Sequence, residues 1–112
     1  MYDESQLKRG ILEGCILKVI SVKETYGYEI INSLSEHGFK GLSEGTIYPL
    51  IKRIEKKGLI KYRYKPSSLG PKRKYFSITE EGMEMLESFN SCWERMSSTV
   101  NEILNLEVDD NE

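Results

Sequence analysis

Apolar positions recur along this chain with two periods, and the change from one to the other divides it. In SQLKRGILEGCILKVIS, residues 5–21, one broad face holds Leu7, Ile11, Leu12, Cys15, Ile16, Val19 and Ile20 at helical spacing, which predicts a first helix. Gly10 and Gly14 weaken that helix intrinsically but admit the close approach of another backbone, so both read as packing points. Thr25 can cap a second helix from about Tyr26 to His37, burying Tyr28, Ile31 and Leu34 and stopping near Gly38. Ser43 caps a third, with Ile47, Leu50, Ile51 and Ile54 as its core stripe and Gly58 as its end.

After Gly58 the period falls to two. IKYRYK at 60–65 and KYFSIT at 74–79 are rich in aromatic and β-branched residues, and the intervening PSSLGPKR is turn chemistry, so the pair predicts a β-hairpin with a basic tip. Thr79 then caps a fourth helix to about Asn105, with Glu80 and Glu81 suited to the dipole of its first turn. Along it Leu86, Phe89, Trp93, Met96, Val100 and Ile103 alternate spacings of three and four, an a/d seam fit for a dimer. The expected class is mostly α within α+β: a winged helix-turn-helix with a two-stranded wing over residues 1–78, then a long dimerisation helix and acidic tail over 79–112. In such a module the third helix enters the major groove of DNA and the wing touches the backbone or minor groove.

The third helix, SEGTIYPLIKRI, contains a contradiction. A helix-interior Pro costs about 3 kcal/mol and a Gly about 1, yet Gly45 and Pro49 both lie in it. They share the face opposite Ile47 and Ile51 with Lys52 and Lys56, and Tyr48 and Arg53 flank that face. A small residue at 45 lets a duplex approach, Pro49 offers a rigid apolar contact for a thymine methyl or sugar, and Ser43, Tyr48, Lys52 and Lys56 can reach phosphates. A tolerated kink near the first turn is the plainer account of Pro49.

Charge strengthens the DNA reading. The net charge of −2 hides a sorting along the chain: residues 1–39 hold four basic and six acidic groups, 40–74 eleven and two, and 75–112 one and ten. A cationic module therefore sits on an acidic frame, which favours a polyanionic partner over a merely solvated surface. At 112 residues the chain is one modest domain whose core an oligomer interface could enlarge. Neither a long apolar run nor a secretion signal is visible, so the expected location is cytoplasmic, without a membrane partner.

Little else points to chemistry. Cys15 and Cys92 have no metal-ligand or CxxC spacing and read as buried packing residues, with redox sensing by Cys92 the alternative. His37 is the only histidine and reads as a polar helix end. With no nucleophile and base at recognisable spacing and no Gly-rich phosphate loop, no catalytic residue, metal ligand or cofactor is assigned and an enzyme is not expected. A winged helix that binds proteins instead of DNA is the competing class; it would leave Lys52 and the basic wing dispensable.

The segments RGILEGCILKVI, YGYEI, SEGTIYPLIKRIEKKGLI and GPKRKYFSITEEG resemble the successive motifs of the PadR family of bacterial transcriptional regulators, over about residues 7–87. That resemblance implies a homodimeric repressor that binds a near-palindromic operator and lets go when a small effector binds. Carried over by position, the recognition-helix contacts fall on Ser43, Thr46, Tyr48 and Lys52, and the wing contacts on Lys72, Arg73 and Lys74. Many PadR regulators have a several-helix C-terminal domain, whereas this chain resembles the short subgroup with one C-terminal helix. Some of that subgroup bind aromatic drugs between subunits, which makes Trp93 and Met96 candidate partners of a planar aromatic effector, with plain core packing of Trp93 as the alternative.

Overall fold

Glu4–Val22 forms α1, whose N-cap Asp3 accepts from the Ser5 amide at 3.0 Å and so satisfies one orphan donor of the first turn. The computed structural model describes residues 1–68 and 70–109; Leu69 of the expected turn and residues 110–112 of the expected tail lie outside them. Leu12, Ile16, Leu17 and Ile20 are buried, Ile11, Cys15 and Val19 half-buried, and Leu7 exposed. Leu17 joins the core although it lies off the expected stripe, because α1 is covered from more than one side.

The next segment departs from expectation. Thr25–Tyr26 is not a cap but a two-residue strand, β1. Thr25 is almost fully buried and its hydroxyl donates to Glu29 at 2.9 Å, while Tyr26 takes the N-cap position of α2 (Gly27–Glu36) without a side-chain bond. Leu34 is buried as expected, but its core companion in α2 is Ile30 and not Tyr28; Tyr28 is exposed and Ile31 half-buried. His37 ends the helix, with Nδ1 2.7 Å from the Ser33 carbonyl.

The same stop closes α2 and α3 (Glu44–Lys56). Gly38 and Gly58 adopt positive φ, and the following amides of Phe39 and Leu59 return to the carbonyls of Leu34 and Ile54 at 3.1 Å. These are Schellman ends, for which glycine avoids the steric cost of a Cβ. Ile47, Ile51 and Ile54 of α3 are buried and Leu50 half-buried.

β2 (Ile60–Ser67) and β3 (Gly70–Ile78) reach further towards their turn than the aromatic pattern suggests, with an irregularity between Lys65 and Ser67 where Pro66 donates no ladder bond. The two-stranded wing is joined by a third strand at its base. β1 pairs antiparallel with β3, Thr25 opposite Phe76 and Tyr26 opposite Tyr75, giving the order β1-β3-β2. Two residues carry no readable period, which is why that strand is invisible in the sequence. The architecture remains an α+β winged helix-turn-helix.

Thr79 both accepts from the Gly82 amide at 3.0 Å and donates to the Gly58 carbonyl at 2.7 Å, so the cap of α4 (Glu80–Leu104) also fixes it to the end of α3. The first half of α4 lies on α1. A Cβ at Gly14 would collide with the Phe89 ring, which makes Gly14 the close-approach point; among the described residues nothing lies within 4 Å of a Cβ at Gly10, which is exposed. Beyond Phe89 the helix leaves the body and stretches the molecule to 68 × 31 × 20 Å. Neither cysteine is fully buried: Cys15 is half-buried, its thiol pKa raised by burial, and half-buried Cys92 sits 3.7 Å from Met96 Sδ. Among the described residues no helix is long and apolar enough to cross a membrane.

Candidate nucleic-acid interface

The outward face of α3 follows from its inward one. Burying Ile47, Ile51 and Ile54 turns Gly45, Thr46, Pro49, Lys52 and Lys56 to solvent along one side. Pro49 supplies no amide to the carbonyl of Gly45, and a Cβ at 45 would meet only Ser43 Oγ at 3.8 Å. The fold therefore tolerates both residues without requiring either. Ser43 is the N-cap by backbone geometry, but its hydroxyl turns to Thr46 Oγ1 at 3.2 Å instead of closing the cap.

Tyr48 belongs to two surfaces. Its ring packs so closely on the first turn of α2 that any Cβ at Gly27 would strike it, yet 42% of the residue stays exposed. Burial, and then the charge of Glu44, push its phenol pKa up, so it remains a neutral donor. Tyr48, Lys52, Tyr28 and Arg73 help line a cleft of about 620 Å³ between α2, α3 and the wing.

The cations of α3 and the wing divide by what they face. Arg53 and Lys57 lie 3.3 and 3.9 Å from Glu13 of α1 and so tie α3 to its support. Lys74 meets Glu55 of α3 at 3.0 Å and stands over the Tyr62 and Phe76 rings at 4.0 and 5.5 Å. Arg63 and Lys65 are both 2.7 Å from Glu24, whose pKa is held down to about 2, first by the hydrogen bond from Arg63 and then by that from Lys65. Among the described residues, Lys52 and Lys56 of α3 and Lys72 and Arg73 of β3 are exposed and have no carboxylate partner.

Of the expected contact residues, Tyr48, Lys52, Arg73 and Lys74 line one cleft, and Lys74 is engaged between the wing and α3. Glu13, Glu24, Glu55 and Tyr26, which hold this side in shape, escape a reading of the sequence. Their partners are 19 to 47 residues away along the chain, so no local spacing marks them. Among the described residues no group of three metal-ligating side chains forms.

The sequence profile of the PadR-like family of transcriptional regulators matches residues 16–88. The chain belongs to that family. It is 53% identical to a PadR-like transcriptional regulator from Bacillus cereus, whose crystal structure it matches with a TM-score of 0.82 over 91% of this chain and 99% of that one. A Streptococcus transcriptional regulator matches at 46% identity and a TM-score of 0.81, over 89% and 98% of the two chains. An uncharacterised Lysinibacillus sphaericus protein is 37% identical over 105 residues, 91% of this chain and 92% of its own. The PadR membership and these structures make the chain a transcriptional regulator and not an enzyme.

Proposed function

We propose that this PadR-family chain is a cytoplasmic homodimeric repressor that binds a near-palindromic operator and is released by a small planar aromatic effector. Residues 1–78 are the DNA-reading unit and 79–112 the dimerisation helix and tail. The observation that carries the reading is the partition of cations: those that support the fold are neutralised, and Lys52, Lys56, Lys72 and Arg73 have no carboxylate partner among the described residues, beside a recognition helix that keeps Gly45 and Pro49 without structural need. Ser43, Thr46, Tyr48 and Pro49 complete the contact set, while Lys74 reaches DNA only by leaving Glu55.

The dimer is supported by α4. Trp93, Met96, Val100 and Ile103 are about half exposed, and a helix of about 37 Å at about 1.5 Å per residue cannot leave that seam in water without cost. Leu86 and Phe89, the first two seam positions, lie against this chain's own α1 side, so the free seam begins at Trp93. Beside it an apolar groove of about 1060 Å³ runs between α1, α2 and the start of α4, lined by Cys15, Val19, Phe39, Met83, Leu86 and Phe89. The far end of a partner's α4 fits such a groove, and two-fold symmetry fills both. Recognition helices so paired would meet successive major grooves about 34 Å apart.

Trp93, with the flexible Met96 one turn on, is the proposed effector contact between subunits, where a small change in the crossing of the two α4 helices would spoil the 34 Å match. The test has two steps. The full chain should select a two-fold-related site from random duplexes and elute as a dimer. Titration with planar aromatic compounds should then quench Trp93 fluorescence and release the DNA, and release should survive Trp93→Phe but not Trp93→Ala. Selection of no duplex would sink the repressor reading, and fluorescence silent to a broad compound panel would leave Trp93 as interface core.

A further inference from the structure

Two aromatic rings and three cations gather on one face of the wing. The sheet register sets Tyr26 beside Tyr75, Arg63 opposite Tyr75 and Lys65 opposite Arg73. Side chains alternate across a sheet, so these residues share the face turned away from Phe76 and Lys74, which point towards α3. Their contacts form a ladder. The Arg73 guanidinium lies 4.5 Å over the Tyr26 ring, Tyr26 meets Tyr75 edge-on at 5.2 Å, and Lys65 stands 4.6 Å over Tyr75. Glu24 closes the end, 2.7 Å from Lys65 and bidentate to Arg63 at 2.7 and 2.9 Å.

The three consecutive wing cations are therefore not equivalent. Lys74 is held by Glu55, and Lys72 is exposed with no partner among the described residues. Of the three, Arg73 alone is both oriented by a ring and without a carboxylate partner among the described residues. A guanidinium that lies face-on over a ring keeps its N–H donors free in its own plane. Tyr26 is also the N-cap residue of α2, so a side chain resting on it is fixed in the frame that carries α3.

We propose that Tyr26 is a positioning residue for DNA binding, which stacks on Arg73 and presents its N–H edge to the sugar-phosphate backbone before DNA arrives. This rests on the wing-to-DNA reading above. Holding the side chain in advance removes part of the ordering cost that a free arginine bears on binding. Lys in place of Arg73 would keep the charge and lose the planar stack, so it is not a conservative change here.

The test is a double-mutant cycle with the full-length protein on a duplex that the wild type selects from a random-sequence pool. Tyr26→Leu should weaken binding by about two- to five-fold, the scale of an exposed cation–π contact, Arg73→Ala by more, and the double variant no further than Arg73→Ala. Arg73→Lys should lose affinity at an unchanged salt slope, a split that a merely structural role does not produce. Independent, multiplicative losses in the double variant would overturn the positioning role. Should Tyr26→Leu fail to fold, Tyr26→Phe keeps the ring and should bind within about two-fold of wild type, whereas a loss as large as that of Arg73→Ala would count against stacking. The DNA-free protein supplies a separate readout: the Arg73 δ protons should show an upfield ring-current shift by NMR that Arg73→Lys does not reproduce. Absence of that shift overturns the ladder itself. A wild type that shows the shift but selects no duplex overturns the DNA reading, and the positioning role with it, while leaving the ladder standing.

Discussion

Helices α1 to α3 and the far half of α4 each carry an apolar stripe, least one-sided in α1, and meet opposite fates. Ile16, Ile30 and Ile47 are completely buried, while Trp93, Val100 and Ile103 on an equally regular stripe are about half exposed. The difference lies in what faces them. Three helices and a sheet converge on the first set, and no other element among the described residues packs over the second. An apolar stripe states that a partner is needed without stating whether the same chain provides it.

The largest effect should come from removing the open region. Truncation after Glu84 deletes Leu86 and Phe89 from the α1 side together with the free seam, and should give an unfolded or monomeric chain that does not bind DNA, read by circular dichroism, light scattering and mobility shift. A folded truncated chain with full operator affinity would mean that α4 serves neither purpose. Next comes the boundary between the regions. Gly14→Ala places a methyl against the Phe89 ring and should destabilise by about 1–3 kcal/mol in denaturant unfolding, the usual cost of overpacking. Gly10→Ala, on the same helix but facing open space, should instead stabilise by up to about 1 kcal/mol. Equal effects at the two sites would erase the distinction between them.

Within the closed region, the wing sharpens the contrast between supporting and free cations. Changing Lys72, Arg73 and Lys74 together to Ala should weaken binding to all sequences and lower the salt slope by about one unit for each phosphate left without its cation. Lys72→Ala alone should do this without a change in melting temperature. Lys74→Ala should also lower the melting temperature, because it leaves Glu55 unpaired. The smallest effect should be that of Glu24. Its folded pKa, near 2, lies below the ordinary value of 4.5, so its pairing with Arg63 and Lys65 contributes stability fully above about pH 4.5 and loses it as pH falls towards 2. Acid titration of wild type against Glu24→Gln should separate over that window and run parallel above it.

Punctuation and period are legible in the chain itself. The span of α4 is readable to within a residue at each end, because Thr79 and the apolar repeat are local features, and the stops at Gly38 and Gly58 need only glycine's freedom at positive φ. The charge block and the solvent face of α3 are readable for the same reason, since a helix's inward stripe fixes its outward one. Tertiary structure decides the rest: β1 is too short to carry a period, Gly10 and Gly14 differ only by what stands opposite them, and Lys74 is told from Lys72 only by the arrival of Glu55. Propensity and periodicity act between residues a few positions apart, whereas an ion pair or a ring stack forms between segments that only the folded chain brings together.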